Sequence, residues 1–393
     1  MRIAIITESF LPSINGVTNS VIRILEHLER VGDEAIVITP NQDGTPKTFA
    51  GAKIKTTLSI QTQNIKSLGL PMGLPQRRMQ HLIEGFDPDV IHLASPLIMG
   101  GYVAKIAKRL SIPTLSVYQT DIGGFANQNG FSIAQNSLRK YLYKLHSNTD
   151  RTLAPSSQSC IELLEAGVPN VYLWQRGVDS DLYNPEKRSP YFYKQFRGNN
   201  QNKIVVGYVG RLAAEKRVQD LQVLDRLSNI QLVIAGDGGQ REKLERALPN
   251  AKFLGFKTGN ELAEVYANLD LFIHPGPNET FCQSVQEALA SGVPCIVPTE
   301  GAAKELITDQ KTGYIVDTKN PIELMRTVEF HTRRIDQKQM RIAARNSVVA
   351  RSWSEVNKQL REHYKQLIEI KVAADLQKQQ SNSISAVNAG SVA

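Results

Sequence analysis

The sequence is poor in cysteine, with only Cys160, Cys282 and Cys295 in 393 residues. Their spacing matches no metal-ligand motif, and an odd number does not suit a disulfide framework, so we expect reduced thiols in a cytosolic protein. The chain also lacks any uncharged apolar run close to the ~20 residues that span a bilayer. Its first residues reach a second charge after a short apolar stretch, which is typical of a strand and not of a secretory signal. These absences predict a soluble or peripheral protein.

Runs of Lys and Arg interleaved with aromatic residues are missing as well. The formal net charge is +8, and the basic residues are dispersed. The sequence therefore gives little support to a nucleic-acid-binding surface. Attraction to an anionic membrane surface remains open.

Two series of short apolar runs alternate with amphipathic stretches, which predicts α/β architecture with parallel sheets covered by helices on both faces. The length of 393 residues favours two domains. We predict a first domain over 1–183, a linker over 184–202, a second domain over 203–350, a helix over 351–376 and a disordered tail over 377–393. Two such sheets joined by a linker place a ligand cleft at the carboxyl ends of their strands.

The first series of predicted strands comprises Ile3–Ile6, Ala35–Thr39, Val90–Leu93, Thr114–Tyr118, Thr152–Ala154 and Val171–Leu173. The second comprises Ile204–Val209, Leu232–Ala235, Lys252–Leu254, Leu271–His274, Cys295–Val297 and Tyr314–Val316.

Two carboxylates eight residues apart, Glu279 and Glu287, lie in the segment HPGPNETFCQSVQEALASGVPCIVP. Glu279 is in a loop rich in Pro, Gly and Asn, and Glu287 is in a stretch that ends in Ser-Gly, as a helix does. If the helix begins near Phe281 or Cys282, its unpaired N–H groups point into the loop and form an anion site. A loop carboxylate and a solvated helix residue are the alternative interpretation of such a pair.

A second candidate segment follows the predicted strand 204–209 and reads Gly210-Arg211-Leu-Ala-Ala-Glu-Lys216. The planar fork of Arg211 and the compact charge of Lys216 together suit a diphosphate, and Gly210 lets the backbone approach closely. A solvated basic turn is the alternative. The two glutamates in the same half of the chain favour the phosphate site.

The run NETFCQSVQEALASGVPCIV and the spacing Gly-Arg-Leu-x3-Lys resemble the signature segments of retaining GT-B glycosyltransferases of family four. Where that family often has Glu-Pro-Phe-Gly, this chain has Glu279-Thr280-Phe281-Cys282, a variant that resembles bacterial α-mannosyltransferases using GDP-mannose. The resemblance extends from Ile3 to about Ile370. It implies two Rossmann-like domains facing a central cleft, with a C-terminal helix that crosses back onto the first domain.

The resemblance also implies residue roles. Glu279 would hold the hexose, Glu287 the ribose, and Arg211 and Lys216 the diphosphate. The further donor-binding residues that it implies are Gly210, Gly236, Gly238, Thr280, Phe281, Cys282 and Gln283. A plain strand-to-helix turn would need the same two glycines at 236 and 238.

The first half departs from the family at two loops. Asn15-Gly16 replaces two adjacent glycines near the diphosphate and sugar, and Asn tolerates left-handed backbone angles. Gln119 stands where many relatives have a His, which favours Asp121 as the polar group near the sugar or acceptor, or else as a helix cap. The segment Arg176-Gly177-Val178-Asp179 resembles the family's turn into the linker, and we expect a structural role for it.

These features together imply transfer of mannose from GDP-mannose to an acceptor, with an α-mannoside as product and with Glu279, Arg211, Lys216 and Asp121 as the catalytic group. No metal or other cofactor is implied, so we interpret the Asp-x-Asp segments at 87–89 and 179–181 as turns. The alternatives are a UDP-sugar-dependent transferase, a nucleotide-sugar epimerase and a non-catalytic binder. A dinucleotide-dependent dehydrogenase is disfavoured because no Gly-x-Gly-x-x-Gly follows the first strand.

The chemical class of the acceptor is predicted from residues 68–78, where an apolar segment precedes Arg77-Arg78. Apolar side chains beside paired arginines suit an anionic membrane, which favours a glycolipid acceptor and a peripheral location on the inner face of the cell membrane. An ordinary packed loop is the alternative.

Overall fold

The computed structural model of the chain describes residues 1–60, 72–94, 96–119, 132–198, 200 and 202–390. Asp121 and residues 68–71 of the segment predicted to contact a membrane lie outside these described residues.

The first half forms an eight-stranded sheet, in which all neighbouring strands are parallel except an antiparallel pair, β3 and β4, at one edge. Its interior strands are apolar and buried, as expected for a sheet covered on both faces. In spatial order, the strands are β10 (Val171–Leu173), β9 (Arg151–Ala154), β8 (Thr114–Val117), β7 (Val90–Leu93), β1 (Arg2–Ile6), β2 (Glu34–Pro40), β4 (Ala52–Thr57) and β3 (Thr48–Phe49).

The second half forms a six-stranded, fully parallel sheet. In spatial order, its strands are β13 (Lys252–Gly255), β12 (Ile230–Ala235), β11 (Ile204–Val209), β14 (Leu271–Ile273), β15 (Cys295–Pro298) and β16 (Gly313–Val316). A separate antiparallel pair consists of β5 (Ser59–Ile60) and β6 (Met72–Gly73). The predicted α/β architecture and all twelve predicted strands are confirmed to within two residues at each end.

Helices cover both sheets. In the first half these are α1 (Gly16–Arg30), α2 (Arg77–Phe86), α3 (Ile98–Leu110), α4 (Ser132–Ser147) and α5 (Ser157–Glu165). The remainder are α6 (Pro190–Arg197), α7 (Gln222–Asp225), α8 (Arg241–Ala247), α9 (Gly259–Ala267), α10 (Gln283–Ala290), α11 (Pro321–Arg333), α12 (Gln337–Asn346) and α13 (Trp353–Gly390). None of the described helices is both long and apolar enough to cross a membrane.

The segment predicted as a linker, 184–202, is instead largely folded onto the second domain. Helix α6 begins with a proline, whose fixed backbone angle suits the first helical position. Arg188 forms an ion pair with Asp270 at 2.7 Å, the Tyr193 hydroxyl donates to the same carboxylate at 2.6 Å, and Phe196 is buried in the second core. The turn-rich composition of this segment did not predict helix α6, which these contacts stabilise.

The C-terminal helix α13 crosses back onto the first domain, as the resemblance implied. Its apolar residues Val356, Leu360, Tyr364 and Leu367 are buried in the core of the first sheet. The Tyr364 hydroxyl lies 2.5 Å from Nδ1 of His92 on β7. The helix continues to Gly390, where the sequence predicted a disordered tail, because residues 377–389 contain no proline or glycine to end it.

Candidate active site

The floor of the site consists of three loops at the carboxyl ends of β11, β12 and β14. A Cβ atom on Gly236 would lie 1.9 Å from the carbonyl oxygen of Gly210, and one on Gly276 would lie 2.9 Å from that of Glu215. Gly210 and Gly236 also have positive φ angles, 155° and 139°. These loops therefore pack backbone against backbone, which only glycine permits.

Gly238 has a similar role, since its Cβ would lie 2.5 Å from the carbonyl oxygen of Leu212. Packing of the chain against itself accounts for both Gly236 and Gly238. Their contact with a nucleotide stays a prediction.

The two predicted motifs of the second domain meet at an ion pair. Nζ of Lys216 lies 2.5 Å from Oε1 of Glu279, and Nε2 of His274 lies 3.2 Å from the same oxygen. The side chains of Lys216 and Glu279 are only 15% and 18% exposed. The structure thus brings together a cation and a carboxylate that are 63 residues apart in sequence.

This pairing fixes the ionisation of the site. Burial raises the pKa of Glu279, but the charge of Lys216 and the ring of His274 outweigh it and lower that pKa to about 2. Burial likewise lowers the pKa of Lys216, and the Glu279 charge raises it by more. Glu279 is therefore an anion at neutral pH, able to accept hydrogen bonds from sugar hydroxyls and unable to donate a proton.

His274 and Cys282 lie beside the ion pair. Burial lowers the pKa of His274, while Cys282 and Glu279 raise it by more, to above its usual value. One potential ligand atom from each of His274, Glu279 and Cys282 lies within 4.8 Å of the others, a grouping that could hold a metal ion. The ammonium of Lys216 already neutralises Glu279, so a metal ion would have to compete with it. The absence of a metal requirement stays a prediction.

Arg211 lies at the mouth of the site. Its Nη2 donates to Oε1 of Glu215 at 2.8 Å, and its side chain is 55% exposed while that of Glu215 is 3% exposed. The Tyr208 hydroxyl donates to the backbone oxygen of Arg211 at 3.0 Å, which anchors the loop. Lys216 and Arg211, which the sequence assigned together to a diphosphate, therefore differ in burial, since the Lys216 side chain is 15% exposed.

Helix α10 begins at Gln283 with Cys282 at its N-cap, within two residues of the predicted start. Burial raises the pKa of Glu287, on this helix, to about 7, and the Tyr266 hydroxyl donates to its Oε2 at 3.1 Å. Nε2 of Gln283 donates to the backbone oxygen of Gly177 at 3.1 Å, which links the helix to a residue of the first domain.

The remaining residues of this block differ in exposure. Phe281 and Cys282 are buried in the core of the second domain, whereas Thr280 is partly exposed. Packing accounts for the first two, and contact of all three with a donor stays a prediction.

The loop before α1 differs from our expectation. Asn15 is the N-cap, and its Oδ1 accepts from the N–H groups of Val17 and Thr18 at 3.0 and 3.1 Å. Its backbone is extended, with φ −154°, and Gly16 is the first helical residue. The left-handed angles that Asn tolerates are therefore not used at Asn15, because an Asn side chain caps a helix from an extended backbone.

Gln119 lies at the end of β8 and bridges two parts of the first domain. Its Nε2 donates to the backbone oxygen of Ala94 at 2.7 Å, and its Oε1 accepts from Nη2 of Arg176. The predicted partner Asp121 is outside the described residues.

Sequence reasoning missed two groups beside the cleft, of which His274 is buried and Glu8 is partly buried. His274 directly follows β14, so its position at the end of a strand was an available signal. Glu8 follows β1, and its Oε1 accepts from the N–H groups of Leu97, Met99 and Gly100 at the start of α3. No local sequence motif indicated that Glu8 contacts the start of α3.

Comparison with known proteins agrees with this geometry. The model of Glycosyltransferase Family 4 matches residues 14–182, and that of Glycosyl transferases group 1 matches residues 192–347. A GDP-mannose-dependent alpha-mannosyltransferase of Mycobacterium tuberculosis is 42% identical over 368 residues, which cover 93% of this chain and 96% of the relative. The chain belongs to glycosyltransferase family 4.

More distant relatives of this family 4 glycosyltransferase include a sulfoquinovosyl transferase of Arabidopsis thaliana, 30% identical over 92% of this chain and 72% of the relative. Another is an alpha-monoglucosyldiacylglycerol synthase of Acholeplasma laidlawii, 25% identical over 80% of this chain and 84% of the relative. Among solved structures, a sucrose-phosphate synthase from Thermosynechococcus elongatus superposes with a TM-score of 0.76 at 17% identity, covering 94% and 99% of the two chains. This last likeness confirms the GT-B fold.

Proposed function

We propose that this glycosyltransferase moves mannose from GDP-mannose to a glycolipid acceptor with retention of configuration, and that its product is an α-mannoside. The observation that carries the proposal is the 42% identity, over 93% of the chain, to a relative named for that donor and linkage. The ion pair between Lys216 and Glu279 supports it, because it combines a carboxylate for sugar hydroxyls with a cation for phosphate.

In this proposal the diphosphate lies between the loop of Arg211 and Lys216 and the N-terminus of α10. When the bond from the anomeric carbon to the phosphate oxygen breaks, its electron pair remains on the leaving diphosphate, which gains negative charge. Lys216, Arg211 and the unpaired N–H groups of the helix stabilise that charge without a metal ion.

Glu279 orients the hexose in this mechanism. Its low pKa excludes it as a proton donor at neutral pH. The acceptor oxygen bonds to the anomeric carbon on the face that the phosphate leaves, and the acceptor proton passes to the leaving phosphate oxygen. A double displacement would instead need a carboxylate on the opposite face, for which Asp121 is the candidate.

The donor is tested by turnover with GDP-mannose, UDP-glucose and UDP-sulfoquinovose at equal concentrations. We expect hydrolysis or transfer with GDP-mannose alone. Thermal shifts give an independent measure, since a ligand at about 100 times its Kd adds about 2.7 kcal/mol of stability. Stabilisation by UDP without stabilisation by GDP would contradict the donor assignment and leave the fold unaffected.

The membrane proposal places this enzyme on the cytoplasmic face, through the surface of α2 and α3. Arg77 and Arg78 are exposed on α2, and Lys105, Lys108 and Arg109 are exposed on α3, which packs against it. A cluster of this kind attracts anionic lipids by about 1 kcal/mol per basic residue close to the surface.

Cosedimentation with anionic and neutral vesicles tests this surface. We expect salt-sensitive binding to anionic vesicles, weakened by the double substitution R77Q/R78Q. The control K243Q/R246Q removes the same charge from exposed positions on α8 and should not weaken binding. Equal binding by both double variants would contradict the proposed surface.

A further inference from the structure

Arg176 occupies the junction between the two domains. It follows β10, the last strand of the first sheet, and precedes Gly177, whose Cβ would lie 2.6 Å from Cα of Trp353. The backbone oxygen of Arg176 accepts from Nε2 of Gln286 on α10 at 3.0 Å. The main chain at Arg176 is thus fixed by elements of both domains, including the helix that follows Glu279.

The side chain of Arg176 extends to the first-domain wall of the cleft. Its Nη1 donates to the backbone oxygen of Gly16 at 3.0 Å, and its Nη2 donates to Oε1 of Gln119. A Cβ atom on Gly16 would lie 2.8 Å from Nη1, so the glycine provides room for the guanidinium. Gln119 is held in turn through its own bond to Ala94, which orients its oxygen toward Arg176.

Both of these acceptors are neutral. Within the described part of the chain, no carboxylate forms an ion pair with Arg176. Burial lowers the pKa of the guanidinium to about 10, and the charge of Glu279 opposes that shift. At neutral pH the group remains charged. A partly buried cation without a counter-ion is unfavourable unless an anion binds beside it.

We propose that Arg176 is a third cation of the donor diphosphate site, contributed by the first domain, and that Gln119 is its positioning residue. This inference rests on the proposed function. The diphosphate would lie between Arg176 on one wall and Lys216 and Arg211 on the other. Arg176 would stabilise the negative charge that the leaving nucleoside diphosphate gains as its bond to the anomeric carbon breaks.

The neutral substitution R176Q tests the proposal. We expect kcat to fall on the order of 100-fold, the typical effect of removing one preorganised donor from developing charge. The affinity for GDP should fall in parallel, while the affinity for guanosine, which has no phosphate, should remain that of the wild type. Added guanidinium should partly restore the activity of R176A, and R176K, which keeps the charge without the fork, should lie between R176Q and the wild type.

The control is Arg23→Gln. Arg23 forms an ion pair at 2.8 Å with Asp179, which lies three residues after Arg176 in the chain. It should leave kcat and GDP affinity unchanged. If Arg176 has a purely structural role, its substitution should lower the melting temperature and weaken the binding of GDP and of guanosine equally, without rescue by guanidinium. That pattern would overturn the proposal, and so would wild-type kcat in R176Q. If wild-type enzyme does not turn over GDP-mannose, the proposed function fails, whereas the ratio of GDP to guanosine affinity in R176Q still decides the role of Arg176.

Discussion

Replacing Lys216 with Met removes one charge from the centre of the site and retains most of the side-chain volume. Glu279 then stays buried without the cation that lies 2.5 Å away in the wild type. Two consequences are expected, one for catalysis and one for stability, and they have different causes. Catalysis loses a donor to the leaving diphosphate, and the folded state retains a buried carboxylate that keeps His274, at 3.2 Å, but loses its ammonium partner.

The expected losses of activity and of stability can each be estimated from the ion pair between Lys216 and Glu279. Losing one preorganised charge-stabilising donor raises the barrier by about 3–4 kcal/mol, which corresponds to a 10²–10³-fold lower kcat. Breaking a buried ion pair by removing one partner destabilises a protein by about 3–5 kcal/mol. The wild-type pKa of Glu279 is lowered from 4.5 to about 2, which corresponds to about 3 kcal/mol at 1.36 kcal/mol per unit. This net figure combines the opposing effect of burial with the contributions of Lys216 and His274.

The stability effect has a defined pH window. A carboxylate with a lowered folded-state pKa contributes stability above its unfolded pKa of 4.5, and this contribution is lost as pH falls toward about 2. The gap in unfolding free energy between wild type and K216M should therefore be full at pH 7 and narrow below about pH 4.5. Chemical denaturation at several pH values measures it.

The double variant K216M/E279Q separates the two effects. It should recover much of the stability, because no charge is left buried, and recover none of the activity. K257M is the matched control, since Lys257 pairs with Glu261 at 3.4 Å on the surface and such pairs contribute about 0–1 kcal/mol. Wild-type kcat in K216M with an intact fold would refute the placement of the diphosphate beside Lys216.

Three further predictions concern other parts of the site. Burial raises the pKa of Glu8 to about 7. The neutral form of Glu8 therefore stabilises the fold at low pH, and this contribution is lost as pH rises from 4.5 through about 7. Glu8→Gln should raise the melting temperature at pH 8 and leave it nearly unchanged at pH 4.5. Gly236→Ala should destabilise the fold by about 3 kcal/mol through backbone overlap and strain, whereas Gly239→Ala, whose Cβ meets nothing within 4 Å, should be nearly neutral in denaturant titrations. Glu287→Gln should weaken GDP binding in calorimetry, and equal affinity of the wild type for GDP and for 2′,3′-dideoxy-GDP would contradict the ribose assignment.

The sequence predicted most of the fold because the strands of both sheets are short apolar runs that lie between amphipathic helices. It failed where tertiary contacts decide the structure. Helix α6 lies in a turn-rich stretch and depends on Asp270, which is distant in sequence. The strands β3 and β4 have mixed composition and pair with each other at the edge of the sheet.

The sequence predicted which residues form the candidate site, but it did not predict which of them contact each other. The motifs indicated Glu279 and Lys216, but their direct pairing depends on how the loops after β11 and β14 pack. The difference between buried Lys216 and exposed Arg211 likewise depends on Glu215, which no motif marks. Arg176 was interpreted as structural, because its neighbours Gly16 and Gln119 are brought to it only by the topology of the first sheet.

The most direct test of the central claim is the anomeric configuration of the first product formed from GDP-α-mannose and a lipid acceptor in anionic vesicles. One-bond carbon–proton coupling in the NMR spectrum of the purified glycolipid assigns it. Retaining transfer predicts an α-mannoside, formed by the wild type and lost in K216M. A β-mannoside, or product formation from a UDP-sugar and none from GDP-mannose, would contradict the account.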